Sequence, residues 1–461
     1  MSTAANVNTP AAEHTALASK WARIDALLSG TDAMRAAGET YLPKFSKEDT
    51  EDYKRRLAAS VLFGAFEQTV STMVGMPFAK PITLGEDVPA RLKVLAEDID
   101  QAGNHLDVFA RERFRRGLAY GSDHILVDMD ASAPGTAADD LTRRPRWIPV
   151  SASQLIDARK TIIDGKERFT HVRIRETVTE WDGYTERRVD QVREIVPPLW
   201  RVWRMVKDSW TVHMEGAYES PYVTLAPFYA GVRTGTFTAR PPLDNLAHLN
   251  VAHWQTSSDQ RNILTVSRFA ILFLRDCAEG KDISIGPNTL LRGSGEKADA
   301  KYVEHQGHAI EAGERDIDKL EKQMEAEGVR MLTRRPGNIT ATENAIDEAK
   351  DQSELETIAG GMKDCLEQAM LFTAEWLGES QGGSLTLNGD YGIVANAAAI
   401  KDAVLKLREM GDLSAEDAMT ELQKARLLSG DLDIAAAAER ASEDVARTLG
   451  LGRTQNTPPA V

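Results

Sequence analysis

Asp123, His124, Asp128 and Asp130 stand close together in the string GSDHILVDMD. Two carboxylates holding a divalent cation are the arrangement of a metal-dependent nuclease. Along a strand Asp128 and Asp130 would share a face. Acids at a strand end also mark ordinary turns, which is the plainer reading. His305 and His308, flanked by Glu304 and Glu311, are spaced to meet one metal ion. No third ligand with motif-like spacing follows, so a polar helix start accounts for them better. Gly293-Ser294-Gly295 is the best glycine cluster, but it lacks the strand-to-helix context of a phosphate loop. No G-x-x-x-x-G-K-[ST] string and no G-x-S-x-G elbow occurs. The expectation is no cofactor, no metal and no enzyme.

Composition narrows the class further. The 461 residues suffice for about three domains. With 42% hydrophobic and 27% charged residues, the chain can bury a core and is not disordered along its length. The net charge of −15 argues against a broad basic face that grips nucleic acid. The longest apolar run, Phe269 to Leu274, is far short of the ~20 residues a bilayer span needs. The start, MSTAANVNTPAAEHT, lacks the basic and apolar stretches of a secretory signal. Cys277 and Cys365 are expected to be free thiols in a reducing cytosol.

The elements that must position these groups follow from periodicity. Residues 16–37 read as a helix with Leu17, Trp21, Ile24 and Leu28 on one stripe. A second helix spans 47–75, with Ser46 as N-cap and Tyr53, Leu57, Val61, Phe66 and Val70 as its stripe. A third covers 89–118 and leads into a strand at 124–128. Residues 147–229 alternate β-branched and aromatic side chains between Gly, Asp and Pro, a β-rich module with an exposed loop at 131–145. Then a helix of about 30 residues, ~45 Å long, runs over 243–274, entered at Pro241 and Pro242. A Gly-, Pro- and strand-containing segment covers 276–304, followed by a helix at 309–327. Ile310, Ile317, Leu320 and Met324 form a narrow seam along it, suited to a helix–helix contact. A breaker at 333–340, a helix at 344–377, a strand at 384–387 and two or three helices complete the chain. Ser414 and Asp417 resemble a capping box for the helix at 415–428. Residues 1–15 and 454–461 read as mobile tails. The fold class is α+β.

Charge is distributed unevenly. Glu304 to Glu327 holds eight acids against three bases, and Glu343 to Glu356 six against one. Between them lie Arg330, Arg334 and Arg335. In a monomer this is a solvated helical hairpin with a basic turn. In a ring it would be stacked bands of charge around a pore, where phosphates meet repulsion broken by a basic constriction.

The succession of several strings resembles the tailed-bacteriophage portal protein family. These are GETYLPKFSKEDTEDYKRRLAASVLFGAFEQTVSTMVGMPFAKPI, YVTLAPFYAG, ARPPLDNLAHLNVAHWQTSSDQRNIL, DISIGP, ADAKYVEHQGHAIEA, LEKQMEAEGVRML and NITATENA, in family order over about residues 38–430. The resemblance implies a twelve-subunit ring at one capsid vertex, through which double-stranded DNA is packaged and ejected. It implies an α/β wing at 16–242, stem helices at 243–272 and 306–329, and a small β-containing clip at 273–305. A tunnel loop at 330–342, a long wing helix and strand at 343–394, and a short helical crown at 395–453 complete that anatomy. The implied partners are the terminase large subunit, a head–tail adaptor, the major capsid protein and scaffold. The implied location is the virion, reached through assembly in the host cytoplasm, with no membrane involved. On that anatomy Arg334, Arg335 and Asn338, with Thr333 and Thr340, are the candidate contacts to the DNA backbone, because guanidinium groups suit phosphate. The crown here is short for the family. The alternatives are another ring-forming connector or adaptor, and a metal-dependent nuclease centred on Asp123, Asp128 and Asp130.

Overall fold

Residues 6–11 contain the earliest departure from the sequence reading. In the computed structural model, the Ala11 N–H donates to the Ile156 carbonyl at 2.8 Å, and the Arg173 guanidinium donates to the Val7 carbonyl at 2.6 Å. Arg175 Nε reaches Asn8 Oδ1 at 2.9 Å. Residues 6–15 are therefore pinned and partly helical, not a mobile tail; side chains distant in sequence hold them. The structure describes residues 6–129, 144–267, 271–275, 299–303, 308–334, 353–389, 393–394, 397–424, 427–428, 432–437 and 440. The loop at 131–143, Asp130 and the tail at 454–461 lie outside them. The chain divides into one unit of Met1–Gly328 with Ile358–Asn388, and a second of Val329–Thr357 with Gly389–Val461.

Each of the three N-terminal helices read as continuous is two. Helix α1, Ala12–Leu28, is separated from α2, Thr31–Ala37, by Gly30 at φ 84°, a backbone angle that suits glycine. Trp21, Ile24 and Leu27 of α1 are buried. The expected helix 47–75 is α3, Thr50–Ala59, and α4, Ala65–Gly75. Asp49, not Ser46, caps α3, accepting from the Glu51 N–H at 2.7 Å. The break has a tertiary cause. Asn250 accepts from the Phe66 N–H at 3.0 Å and donates to the Phe63 carbonyl at 2.8 Å, acting as a cap from a distant element. After a short strand β1, Thr83–Leu84, the expected helix 89–118 is α5, Ala90–Leu95, and α6, Leu106–Tyr120. Asp98 and Asp100 side chains accept from the Gly103 and Ala102 N–H groups, turning the chain between them.

Two antiparallel sheets follow. Strand β2, Ser122–Met129, lies between β3, Pro145–Ser151, and β9, Leu225–Tyr229. The five-stranded meander runs in sequence order through β4, Leu155–Ile163, β5, Lys166–Asp182, β6, Thr185–Val196, β7, Leu199–Val206, and β8, Ser209–Ala217. Leu126, Val150, Leu155, Val172, Ile195 and Phe237 join both sheets in one buried cluster. Phe114 of α6 stacks on Phe228 of β9 at 5.8 Å, and both are essentially unexposed. Burial of each ring contributes about 2–3 kcal/mol.

The chain then returns to helix. Helix α7 is Asp244–Ser267 and stops short of the expected 274, because Ile271–Arg275 forms strand β10. It pairs antiparallel with β11, Asp299–Val303, from Ile271↔Val303 to Arg275↔Asp299. Helix α8 is His308–Leu332, and the two-residue β12, Thr333–Arg334, follows it. Helix α9, Glu354–Leu377, is opened by a capping box that the sequence reading missed. The Ser353 N–H donates to Glu356 at 2.7 Å, and the Glu356 N–H to Ser353 Oγ at 3.2 Å. Strand β13, Leu385–Thr386, pairs with β1. In the second unit, β14, Ile393–Val394, lies parallel to β12, and helices α10, Ala397–Glu409, and α11, Ala415–Lys424, contact each other. Ser414 caps α11, accepting from the Asp417 N–H at 3.0 Å. Among the described residues no helix is long and apolar enough to cross a membrane.

Candidate functional site

The long helices α7 and α8 lie side by side and antiparallel. His253 Nε2 meets Glu321 Oε1 at 3.2 Å near one end, and Gln260 Nε2 donates to the Ile310 carbonyl at 2.9 Å near the other. At 24 and 25 residues each helix is about 36 Å long. The antiparallel β10–β11 pair lies between α7 and α8 in the chain. At its N-terminal end α7 is anchored by Asp244, which receives Lys20 at 2.5 Å and Arg23 at 2.7 Å. Those cations hold its carboxyl below the usual range although burial acts in the other direction.

On α8 the four seam residues fall on the side that is not exposed. Met324 is buried, while Ile310, Ile317 and Leu320 are half-buried. Gly313 lies on this side too, against the Gln260 side chain. The 3–4 spacing of these positions is that of helices packed at a shallow angle. The exposed surface of α8 carries acids on two flanks, Asp316 standing apart from the main acidic line. Glu311, Glu314, Asp318, Glu321 and Glu325 repeat at intervals of three and four, all exposed. Arg315, Lys319 and Lys322 form a second, separate exposed line.

The candidate DNA contacts are only partly within the described residues. Thr333 and Arg334 form β12 against Ile393 and Val394. Arg335, Asn338 and Thr340 lie outside, as do His305, Gly293-Ser294-Gly295, Cys277 and most of 273–305. Arg330 Nη1 binds Glu354 Oε2 at 3.1 Å, tying the end of α8 to the start of α9.

The Asp123, His124 and Asp128 group does not assemble. Asp123 is fully buried and meets Arg113 at 3.0 Å, with Arg116 at 3.9 Å. Burial outweighs both arginines and pushes its carboxyl up to about 7. His124, equally buried, has no well-formed hydrogen bond at either ring nitrogen, and burial pushes it down to about 3. Asp128 pairs with Arg193 at 3.5 Å. Five residues apart in one strand, Asp123 and Asp128 point to opposite faces. Among the described residues no three His, Cys, Asp or Glu side chains are grouped to hold a metal ion. Cys365 is buried, its thiol donating to the Ala226 carbonyl at 3.6 Å.

Arg56 is a buried charge that periodicity could not reveal. It grips Glu48 with two bonds of 2.7 and 2.8 Å, donates to the Pro43 carbonyl at 2.8 Å, and lies over the Phe45 ring. This ties the segment before α3 to the flank of α7, where Asp259 stands 3.4 Å away. The Arg56 hydrogen bonds hold the Glu48 carboxyl below the usual range.

A family model described as "Domain of unknown function (DUF4055)" matches residues 242–377, the stretch from α7 through α9. No curated protein sequence matches the chain. Among the solved structures that resemble it at low identity are chains of gene transfer agent particles. A chain of the virion of a native gene transfer agent particle is 12% identical, with TM-score 0.35, over 87% of this chain and 98% of that one. A chain of the neck of the native particle, computed with C12 symmetry, is 12% identical with TM-score 0.37, over 86% and 98%. A chain of the neck of the empty particle, computed with C6 symmetry, is 11% identical with TM-score 0.38, over 82% and 94%. These TM-scores lie below 0.5, so the likenesses carry no weight for function.

Proposed function

We propose that this chain is a portal subunit: a dodecameric ring at a capsid vertex, the channel for double-stranded DNA during packaging and ejection. The observation that carries the reading is the pair of long helices. Two antiparallel helices of about 36 Å, with an antiparallel strand pair between them in the chain, suit a subunit that must line a long channel and present a small docking module. The mechanism is geometric and electrostatic. The ring performs no hydrolysis; a terminase motor supplies the energy, docking at the clip before a head–tail adaptor takes its place. Capsid protein and scaffold surround the wing.

In this reading the acidic line on α8 keeps phosphates from adhering, and Arg334 and Arg335, with Asn338, Thr333 and Thr340, touch the passing backbone. Class averages of the purified full-length protein test it. Rings of about a dozen subunits with an open axial channel are expected, and a stable monomer or dimer at all concentrations would overturn it. Given a ring, neutralising Arg334 and Arg335 together should change packaging or genome retention while assembly persists.

A further inference from the structure

Between α4, the turn at 100–104, α6 and β3 lies a cavity of about 510 Å³, a volume suited to a few residues of peptide. Val74, Val108, Phe109 and Pro149 make its apolar lining, and Arg111, Arg113 and Arg115 border it. The three arginines differ in what they already hold. Arg115 Nη2 is taken by Glu67 Oε1 at 3.3 Å. Arg111 is exposed and has no hydrogen bond or ion pair among the described residues. Arg113 is only 9% exposed and donates from Nη1 to Asp123 Oδ2 at 3.0 Å, but its Nε is buried without a hydrogen-bond partner. A buried guanidinium N–H without an acceptor is costly, and an acceptor entering the cavity would remove that cost. Asp123 cancels the charge only in part, because burial pushes its carboxyl up to about 7. The two acids that border the cavity do not serve instead. Asp100 is consumed by its own turn, accepting from the Ala102 and Asn104 N–H groups and from the Asn104 amide. Glu112 is exposed and pairs with neither arginine.

We propose that this cavity docks an acidic peptide segment of a partner protein, its carboxylates received by Arg111 at one margin and Arg113 at the other, with apolar side chains of the segment against Val108, Phe109 and Pro149. The placement of the two arginines selects an extended ligand. Two positions apart on α6, they leave the helix in nearly opposite directions, with Val108 and Glu112 between them. A single small anion cannot serve both margins, whereas a peptide carries several acceptors along its length. Guanidinium groups match carboxylates in geometry as well as charge. A nucleic-acid backbone fits less well, because its closely spaced charges would pass Glu112 and Asp100 and its sugars have no use for the apolar lining. The proposal goes beyond the ring reading and does not depend on it, since every residue of the cavity belongs to one chain.

The test is fluorescence anisotropy of the full-length protein with a labelled hexapeptide of alternating leucine and glutamate. Saturable binding is expected below about 1 mM, and the peptide with glutamine in place of glutamate should bind about tenfold more weakly. Arg111→Gln should lose about tenfold in affinity while keeping the wild-type urea midpoint, because the position is exposed. Arg113→Gln should lose at least as much. If that buried substitution prevents folding, Val108→Trp decides the matter, since an indole at this exposed position fills the cavity and should abolish binding in a folded chain. Arg188→Gln, an equal loss of charge on β6, should bind as the wild type does. Equal binding of the two peptides, no saturable binding, or unchanged affinity in both Arg111→Gln and Val108→Trp would overturn the proposal. So would displacement of the peptide by an equal concentration of sodium sulfate, which would show an adventitious anion site. Displacement by a duplex oligonucleotide would overturn it too, in favour of a nucleic-acid surface.

Discussion

Gly313 of α8 faces Gln260 of α7 so closely that a methyl group at Gly313 would stand 2.0 Å from the amide oxygen of Gln260. Gln260 is 5% exposed and uses its amide nitrogen on the Ile310 carbonyl, so it moves only by giving up that bond. Gly313→Ala gains about 1 kcal/mol of helix propensity and loses about as much hydrogen bonding, so its unfolding midpoint should be near wild type. Gly313→Leu has no such compensation. It should lose about 1–3 kcal/mol by denaturant titration, and an unchanged midpoint would mean that the two helices can separate freely.

Asn250 is the buried residue that ends one helix break and starts the next element. Asn250→Ala leaves the buried Phe66 N–H without its partner, while the Phe63 carbonyl keeps only the Ala65 N–H at 2.9 Å. A loss of about 2–3 kcal/mol is expected in urea unfolding, larger than truncation of an exposed asparagine.

Removal of Arg56 should be more damaging than its replacement together with Glu48. Arg56→Ala strands a carboxylate whose side chain is 8% exposed, and should cost about 3 kcal/mol in thermal or chemical unfolding. The double substitution Arg56→Met with Glu48→Met should recover part of that loss. If the double variant is worse than the single, the pair contributes more than its desolvation costs.

Stability against pH should show two opposed slopes. The folded chain keeps the Asp123 proton up to about pH 7, whereas an unfolded aspartate releases it near 3.8, so the native state binds more protons in that window. Stability from this group falls as pH rises through it. For His124 the unfolded chain takes a proton below 6.5 and the folded chain only near 3, so stability from this group falls as pH falls. The wild type should be nearly flat where the windows overlap. His124→Leu removes the second slope, and its urea midpoint should climb steadily from pH 7 to pH 4. Equal pH profiles for variant and wild type would show that His124 is already charged in the native state.

Sequence periodicity revealed the β-rich middle and the two long helices because their burial patterns repeat over many residues. Ile310, Ile317, Leu320 and Met324 lie on the less exposed side of α8. Periodicity also ran straight through the breaks at Ser60 and Gly30. The first is made by Asn250, nearly two hundred residues away, so no local signal announces it. The binding of residues 6–11 by Arg173 and Arg175 was hidden for the same reason. The acid cluster in GSDHILVDMD misled in another way. Its spacing is compatible with metal binding, but Arg113 and Arg193, from other elements, take up Asp123 and Asp128 separately.

The pairing of Ile271 with Val303 brings the chain back to where it left α7. Everything between those two residues is topologically an insert, attached to the helices by two adjacent strands. A lineage could exchange that insert for another of different length while keeping the Ile271–Val303 pairing. The same geometry makes a grafted chimera feasible at the bench. The strand pair works as a socket, and what it carries can evolve on its own schedule.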